Sequence, residues 1–272
     1  MGTMPGIAVC LLISAFPAEG SLLASGFSWL DALIWRKTTP TMTTRPHILI
    51  NVAMTADGKI DSILRKGAAI SSTADKNRVD QLRADSDAVL VGGRTLVNED
   101  PRLTVKSAHL RLGRISRGLD ENPIKVGIVS VADLELDGRF LNDGPARRFI
   151  YTTRRTPAEM ITRLRQTGAE VFILGKQVVD LRRVMKSLYT HGIRSLMVEG
   201  GGTLIAALFR LGLVDELTIY IAPRLLGGAS APTMVDGPGF RPARAPGLQL
   251  VSVEKFDEGG GVLIHYAVEQ KE

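Results

Sequence analysis

From His47 onward, short apolar runs rich in Val, Ile and Leu alternate with segments whose apolar residues recur at helical spacing. The runs predict strands over Ile48–Ala53, Ala88–Val91, Lys125–Val129, Arg148–Tyr151, Glu170–Ile173 and Ser195–Val198. The helical pattern predicts helices over Ala74–Ala84, Pro157–Thr167, Val178–Tyr189 and Leu204–Leu211. For the second helix, Thr156 reads as the N-cap, Pro157 as the first helical residue and Gly168 as the residue just past its end. Strand–helix alternation predicts an α/β fold with a mostly parallel central sheet flanked by helices. After Leu213 the pattern changes. Glu216–Ala222, Leu248–Phe256 and Val262–Val268 read as strands without intervening helices, and Asp257-Glu258-Gly259-Gly260-Gly261 as a hairpin turn. Antiparallel strands are therefore expected at one edge. No repeat or linker divides residues 45–272, which read as one domain.

Residues 1–44 differ. Ile7–Phe16 is an apolar run too short to span a bilayer, and no Lys or Arg precedes Arg36 as a signal peptide would require. Trp29 and Trp35 both lie here. Two readings stay open: a start assigned upstream of Met42, or an export signal. Either way the segment is treated as an N-terminal extension. The 272-residue chain has one cysteine, Cys10, and four scattered histidines, which excludes a disulfide framework and a Cys-rich zinc site. Its net charge is +6, and part of the excess lies between Arg102 and Arg117. No aromatic residue interleaves with these basic ones, which speaks against nucleic acid and for a solvated loop or for attraction of a phosphorylated small molecule.

The candidate chemistry lies where predicted strands stop. Leu196-Met197-Val198 ends in Glu199, then Gly200, Gly201, Gly202 and Thr203, and then a helical pattern begins. A strand that feeds a helix through glycines leaves backbone N–H groups free at the positive end of the helix dipole, a setting that binds phosphate. Glu199 needs a partner or a function, because a carboxylate ending an apolar strand is costly to bury. A second turn, Val91-Gly92-Gly93-Arg94-Thr95, also follows an apolar strand. Together the two turns could hold the two ends of a dinucleotide. Asp57 sits in an Asp-Gly turn and reads either as a turn residue or as an acid, base or hydroxyl acceptor at the crevice mouth. Glu99 and Asp100 precede Pro101 and read as loop caps or ribose contacts, and Ser71-Ser72-Thr73 reads as a helix cap.

In combination these segments resemble the reductase of riboflavin biosynthesis, a family with a dihydrofolate reductase-like fold. The resemblance runs from about Arg45 to the C-terminus. Thr55-Ala56-Asp57-Gly58-Lys59-Ile60 resembles the family's Ser/Thr-x-Asp-Gly-Lys/Arg turn. Asp87–Thr95, continuing through Asp100-Pro101-Arg102-Leu103-Thr104-Val105, is similar to its central block. Leu196–Thr203, Leu213–Leu217 and Ala222–Gly228 are similar to its C-terminal block.

The resemblance implies a cytoplasmic homodimer that binds no membrane. The implied activity is NADPH-dependent reduction of the ribosyl chain of 2,5-diamino-6-ribosylamino-4(3H)-pyrimidinone 5′-phosphate, or of its deaminated relative, to the ribityl form. It further implies Asp57 and Glu199 as catalytic groups flanking the ribosylamine. Gly92, Thr95, Asp100, Leu103, Ser130, Gly200, Gly201, Gly202 and Thr203 are implied as cofactor contacts, and Thr55, Ser71 and Ser72 as substrate contacts beside Asp57 and Glu199. The zinc deaminase motifs found in many relatives are absent. Ser130 stands where an Asp often ends the strand, Lys106 stands where Arg is common, and Arg111–Leu119 reads as an extra loop. Arg154 and Arg155 are candidates for a cofactor 2′-phosphate or are surface charge. Two alternatives to this activity are a reductase of the same fold with another carbonyl, imine or pterin substrate, and a nucleotide-binding module without catalysis.

Overall fold

Nine strands make one sheet in a computed structural model of the chain, which describes residues 44–269. In chain order they are β1 (His47–Thr55), β2 (Ala88–Gly92), β3 (Ile124–Ile128), β4 (Arg148–Thr152), β5 (Glu170–Ile173), β6 (Ser195–Val198), β7 (Glu216–Ala222), β8 (Leu248–Lys255) and β9 (Val262–Val268). Their order across the sheet is β5-β4-β3-β2-β6-β1-β7-β9-β8. The apolar run Ile7–Phe16, Cys10, Trp29, Trp35 and Met42 lie outside the described residues.

The strands form where the pattern places them because the central ones are covered on both faces. All five residues of β2 are buried, as are Ile48, Leu49 and Ile50 of β1 and Leu196, Met197 and Val198 of β6. Such strands read as continuous apolar runs. The antiparallel edge is narrower than expected. β7 runs parallel to β1, with Leu217 opposite Ile50, and only its pairing with β9 is antiparallel. The segment Gly202–Arg210 is the crossover that returns the chain to the same end of the sheet, as a parallel connection requires. β8 and β9 form the hairpin, and the Asp257 carboxylate accepts the Gly261 N–H at 2.9 Å across its turn.

Helices α1 (Thr73–Asp85), α2 (Gly93–Glu99), α3 (Ala108–Ser116), α4 (Arg139–Asn142), α5 (Ala158–Gln166), α6 (Leu181–Thr190) and α7 (Gly202–Arg210) connect the strands. Three of them depart from expectation, α2, α3 and α4. The most telling is α3, because Arg111–Leu119 reads as loop in the sequence. Within it Arg114 is buried, and its guanidinium donates to the carbonyls of Ala84, Ser86 and Asp120 at 2.8–2.9 Å. That part of the basic stretch is therefore structural rather than solvated. Thr156 is not the cap of α5. Pro157 holds that position, and the Thr156 hydroxyl instead pairs with Thr152 and accepts the Ala132 N–H.

Helix α1 buries charge as well as apolar residues. Arg78 donates to Asp75 and, at 2.7 Å, to the Asn51 amide oxygen, which also accepts from Thr218. This network fastens the helix to β1 and β7. At the opposite end of the sheet from the strand-ending glycines, Glu216 lies between His47 and His265, at 2.6 and 2.9 Å, beside the Arg45–Asp215 pair.

Candidate active site

The carboxyl ends of β1, β2, β3 and β6 open into a cavity of about 660 Å³. The chain moves outward from β2 to β5 and then returns to place β6 between β2 and β1. Crevices at such reversals are where open α/β sheets bind ligands, and the volume suits a small-molecule site.

The two glycine turns form the floor. The Gly92 N–H donates to the Gly200 carbonyl at 2.9 Å, so the turns adjoin directly. Gly200 has φ +120°, a conformation that only glycine adopts readily, and a Cβ there would stand in open space. At Gly92 a Cβ would come within 3.1 Å of Leu204 Cβ. Helix α7 starts at Gly202 with N–H groups that have no intrahelical acceptor. At Gly200 the absent side chain leaves the backbone open to an anionic ligand, while Asp236 lies beside Gly202, 3.1 Å from where a Cβ there would stand. Thr95, Ser130 and Thr203 stand in the walls of the same cavity.

Adjoining the cradle is a wall of charge. Helix α1 presents Lys76, Asp80 and Arg83 on one face. Glu199 finds its partner there. Arg83 Nε and Nη2 donate to its two oxygens at 2.6 and 2.7 Å, and Nη1 donates to the Thr104 carbonyl at 3.1 Å. Asp80 accepts the N–H groups of Lys106 and Ser107 at 2.7 and 2.8 Å, which fixes Lys106 in the cavity wall. Glu99 at the end of α2 lines the mouth with Asp61. Burial first, and the neighbouring Asp61 charge second, push the Glu99 carboxyl above its ordinary value, against the Thr95 hydroxyl that lowers it. Asp61 in turn accepts the N–H groups of Ser62, Gly67 and Ala68.

Of the residues singled out in the sequence, the cavity brings together Ser71, Gly92, Thr95, Ser130, Glu199, Gly200, Gly201, Gly202 and Thr203. Thr55, Asp57, Ser72, Asp100 and Leu103 are not among its lining. Ser72 caps α1 by accepting the Asp75 N–H. Asp100 has φ +43° and accepts the Arg139 and Phe140 N–H groups at the start of α4. Leu103 is fully buried in the core. Asp57 bonds to Thr55, Leu226 and Gly227. Arg154 and Arg155 are exposed and lie outside the lining. Arg83 and Asp61 are site residues that do not stand out in the sequence. Arg83 carries no local signal, since its partner is 116 residues away.

Residues 46–261 match the family described as the RibD C-terminal domain. The chain belongs to that family. It is 40% identical over 222 residues to the 2,5-diamino-6-ribosylamino-4(3H)-pyrimidinone 5′-phosphate reductase of Archaeoglobus fulgidus, covering 82% of this chain and 99% of that one. The enzyme of the same name from Methanothermobacter thermautotrophicus is 37% identical over 224 residues, again covering 82% and 99%. Among solved structures, a pyrimidine reductase-like protein from Corynebacterium diphtheriae superposes with a TM-score of 0.72 at 18% identity, covering 89% of this chain and 99% of that one. RibD of Acinetobacter baumannii superposes with a TM-score of 0.68 at 24% identity, covering 84% of this chain and 59% of that longer protein. These likenesses bear on the fold, which is dihydrofolate reductase-like. Among the described residues, no helix is long and apolar enough to cross a membrane.

Proposed function

We propose that this RibD-family chain is an NADPH-dependent reductase that converts the ribosyl chain of a ribosylaminopyrimidine 5′-phosphate to the ribityl form. The observation that carries this reading is a single cavity with two parts of different chemistry. One part is the Gly92–Gly200 cradle, where amides without an intrahelical acceptor at the start of α7 suit the phosphates of a dinucleotide. The adjoining wall holds Lys76, Arg83 and Lys106 with Glu199 and Glu99, suited to a phosphorylated sugar whose ring must open. The relatives named above carry the same substrate in their names.

A nicotinamide dinucleotide held by its phosphates at the cradle would supply hydride to the opened ribosyl carbon. The chain's own residues would do the rest. Lys76 and Lys106 offer positive charge to the substrate phosphate, and Arg83, paired with Glu199 and bonded to the 104 carbonyl, holds that carboxylate in place so that it orients rather than drifts. Glu99 is the carboxyl best placed to hold or give up a proton, because its burial disfavours the charged form.

The test is to follow loss of nicotinamide absorbance when purified protein meets NADPH and the ribosylaminopyrimidine phosphate. Oxidation that depends on that compound supports the reading. Binding of NADPH with no turnover of it, or of its deaminated relative, overturns the substrate. NADH tried in parallel settles the coenzyme, because the basic residues flagged for a 2′-phosphate lie outside the cavity. We further propose a cytoplasmic homodimer that pairs through β8, whose eight residues are all exposed and include Leu248, Leu250, Val251 and Val253.

A further inference from the structure

The segment that leaves β7, residues 223–236, crosses the rim of the cavity. Along its length it is tied to the turn that ends β1. Ala56 donates to the Arg224 carbonyl at 2.9 Å and Ile60 to the Pro232 carbonyl at 3.0 Å, and Lys59 forms a β-bridge with Thr233. Its last residues also lie on the cradle. Asp236 donates to the Gly202 carbonyl, and a Cβ on Gly202 would stand 2.2 Å from the Thr233 carbonyl oxygen. Pro232 and Asp236 belong to the cavity wall. The segment is therefore a strap, and the position of that wall depends on how it is held.

Asp57 holds it. Its carboxylate accepts the Thr55 hydroxyl at 2.5 Å, the Leu226 N–H at 3.2 Å and the Gly227 N–H at 2.7 Å. Gly227 and Gly228 have φ +64° and +83°, which bends the strap so that successive amides face this one side chain. Both carboxylate oxygens are engaged, and the side chain lies outside the cavity lining. We infer that Asp57 is a positioning residue, a latch that fixes the strap and through it the cavity wall above Gly202, and that it exchanges no proton with the substrate. The bonded carboxyl sits at about 2, chiefly because of the Thr55 hydroxyl, so at neutral pH it has almost no capacity to give or take a proton. The kinetic part of this inference rests on the reductase reading above; the structural part does not.

The experiment uses the full chain with Asp57→Asn, an isosteric change at an exposed side chain, and Thr55→Val as a second route to the same latch. Amide hydrogen exchange is read without substrate. The Leu226 and Gly227 amides should exchange roughly 10- to 100-fold faster in both variants, with the rest of the sheet unchanged. With NADPH and the ribosylaminopyrimidine phosphate, KM should rise roughly tenfold while kcat stays within a few-fold and both limbs of the pH–rate profile keep their positions. Unchanged exchange in the strap would overturn the latch. A kcat loss of roughly a thousandfold in Asp57→Asn, or a lost limb in its profile, would make Asp57 a catalytic residue after all. If the wild-type chain does not turn the compound over, the reductase reading fails, while the exchange result still decides the latch.

Discussion

At the scale of single residues, the site is defined by what each carboxylate touches. Glu199 is fastened to Arg83 by two charge-assisted hydrogen bonds, both side chains being mostly buried. Removing one charge leaves the other partly buried and unpaired. Glu199→Gln should therefore lose roughly 2–4 kcal/mol of stability by chemical denaturation, and Arg83→Gln about as much. The double variant should cost clearly less than the sum, with a coupling energy of about 1.5 kcal/mol or more; additive losses would show that the pair does not act as a unit. Glu99 points the other way. Its carboxyl is raised above the ordinary 4.5, so the folded state holds its proton more tightly than the unfolded chain does. Stability then falls as pH rises from about 4.5 through the folded value. Glu99→Gln should be more stable than wild type at pH 7 in thermal melts and equal to it below about pH 4, while turnover drops. Equal stability at every pH would remove the buried carboxyl from the argument. Glu199 was legible in the sequence because a charge after an apolar run needs an explanation. Arg83 was not, because helix α1 buries Asp75, Arg78 and Asp80 alongside its few apolar residues, so charge does not mark its outer face.

At the scale of elements, legibility follows burial. The central strands could be read because burial on both faces demands unbroken apolar residues. The helices α2 and α4 were missed because seven and four residues are too few for a period to show. Helix α3 was missed because Gly113 and a run of basic residues break its pattern, while a Ser107 cap and the burial of Arg114 hold it in place. Two glycines make the contrast testable. Gly113 lies inside α3 with open space where a Cβ would go. Gly113→Ala should gain about 0.5–1 kcal/mol through helix propensity, leaving kinetics untouched. Gly202 also starts a helix, yet its Cβ would meet the strap at 2.2 Å from the Thr233 oxygen. Gly202→Ala should lose about 2 kcal/mol and weaken NADPH binding, read by titration calorimetry, because either the strap or the cradle must move. If both substitutions behave alike, close approach at Gly202 is not what keeps glycine there.

At the scale of the whole molecule, the sheet has two unlike edges. β5 is the short edge, four residues long. β8 is the long one, and its exposed apolar residues include Leu250 at 54% and Val253 at 57% exposure. A long apolar edge strand with unpaired backbone groups is a template for another strand, and natural proteins cover or charge such edges. Among the described residues neither protection is present along the middle of β8, where Leu250, Val251, Ser252 and Val253 succeed one another across a bulge. A second copy of the chain is the occupant that would always be present at equal concentration, and pairing through a two-fold axis would use the same strand from each copy. The cavity opens from strands that β7 and β9 separate from β8, so the pairing edge and the cradle can be perturbed independently. Val253→Lys combined with Leu250→Glu should shift sedimentation from a dimer to a folded monomer at micromolar concentration, with NADPH affinity retained. A wild-type chain that sediments as a monomer under the same conditions would mean that β8 is an edge left bare, and the dimer would have to be abandoned.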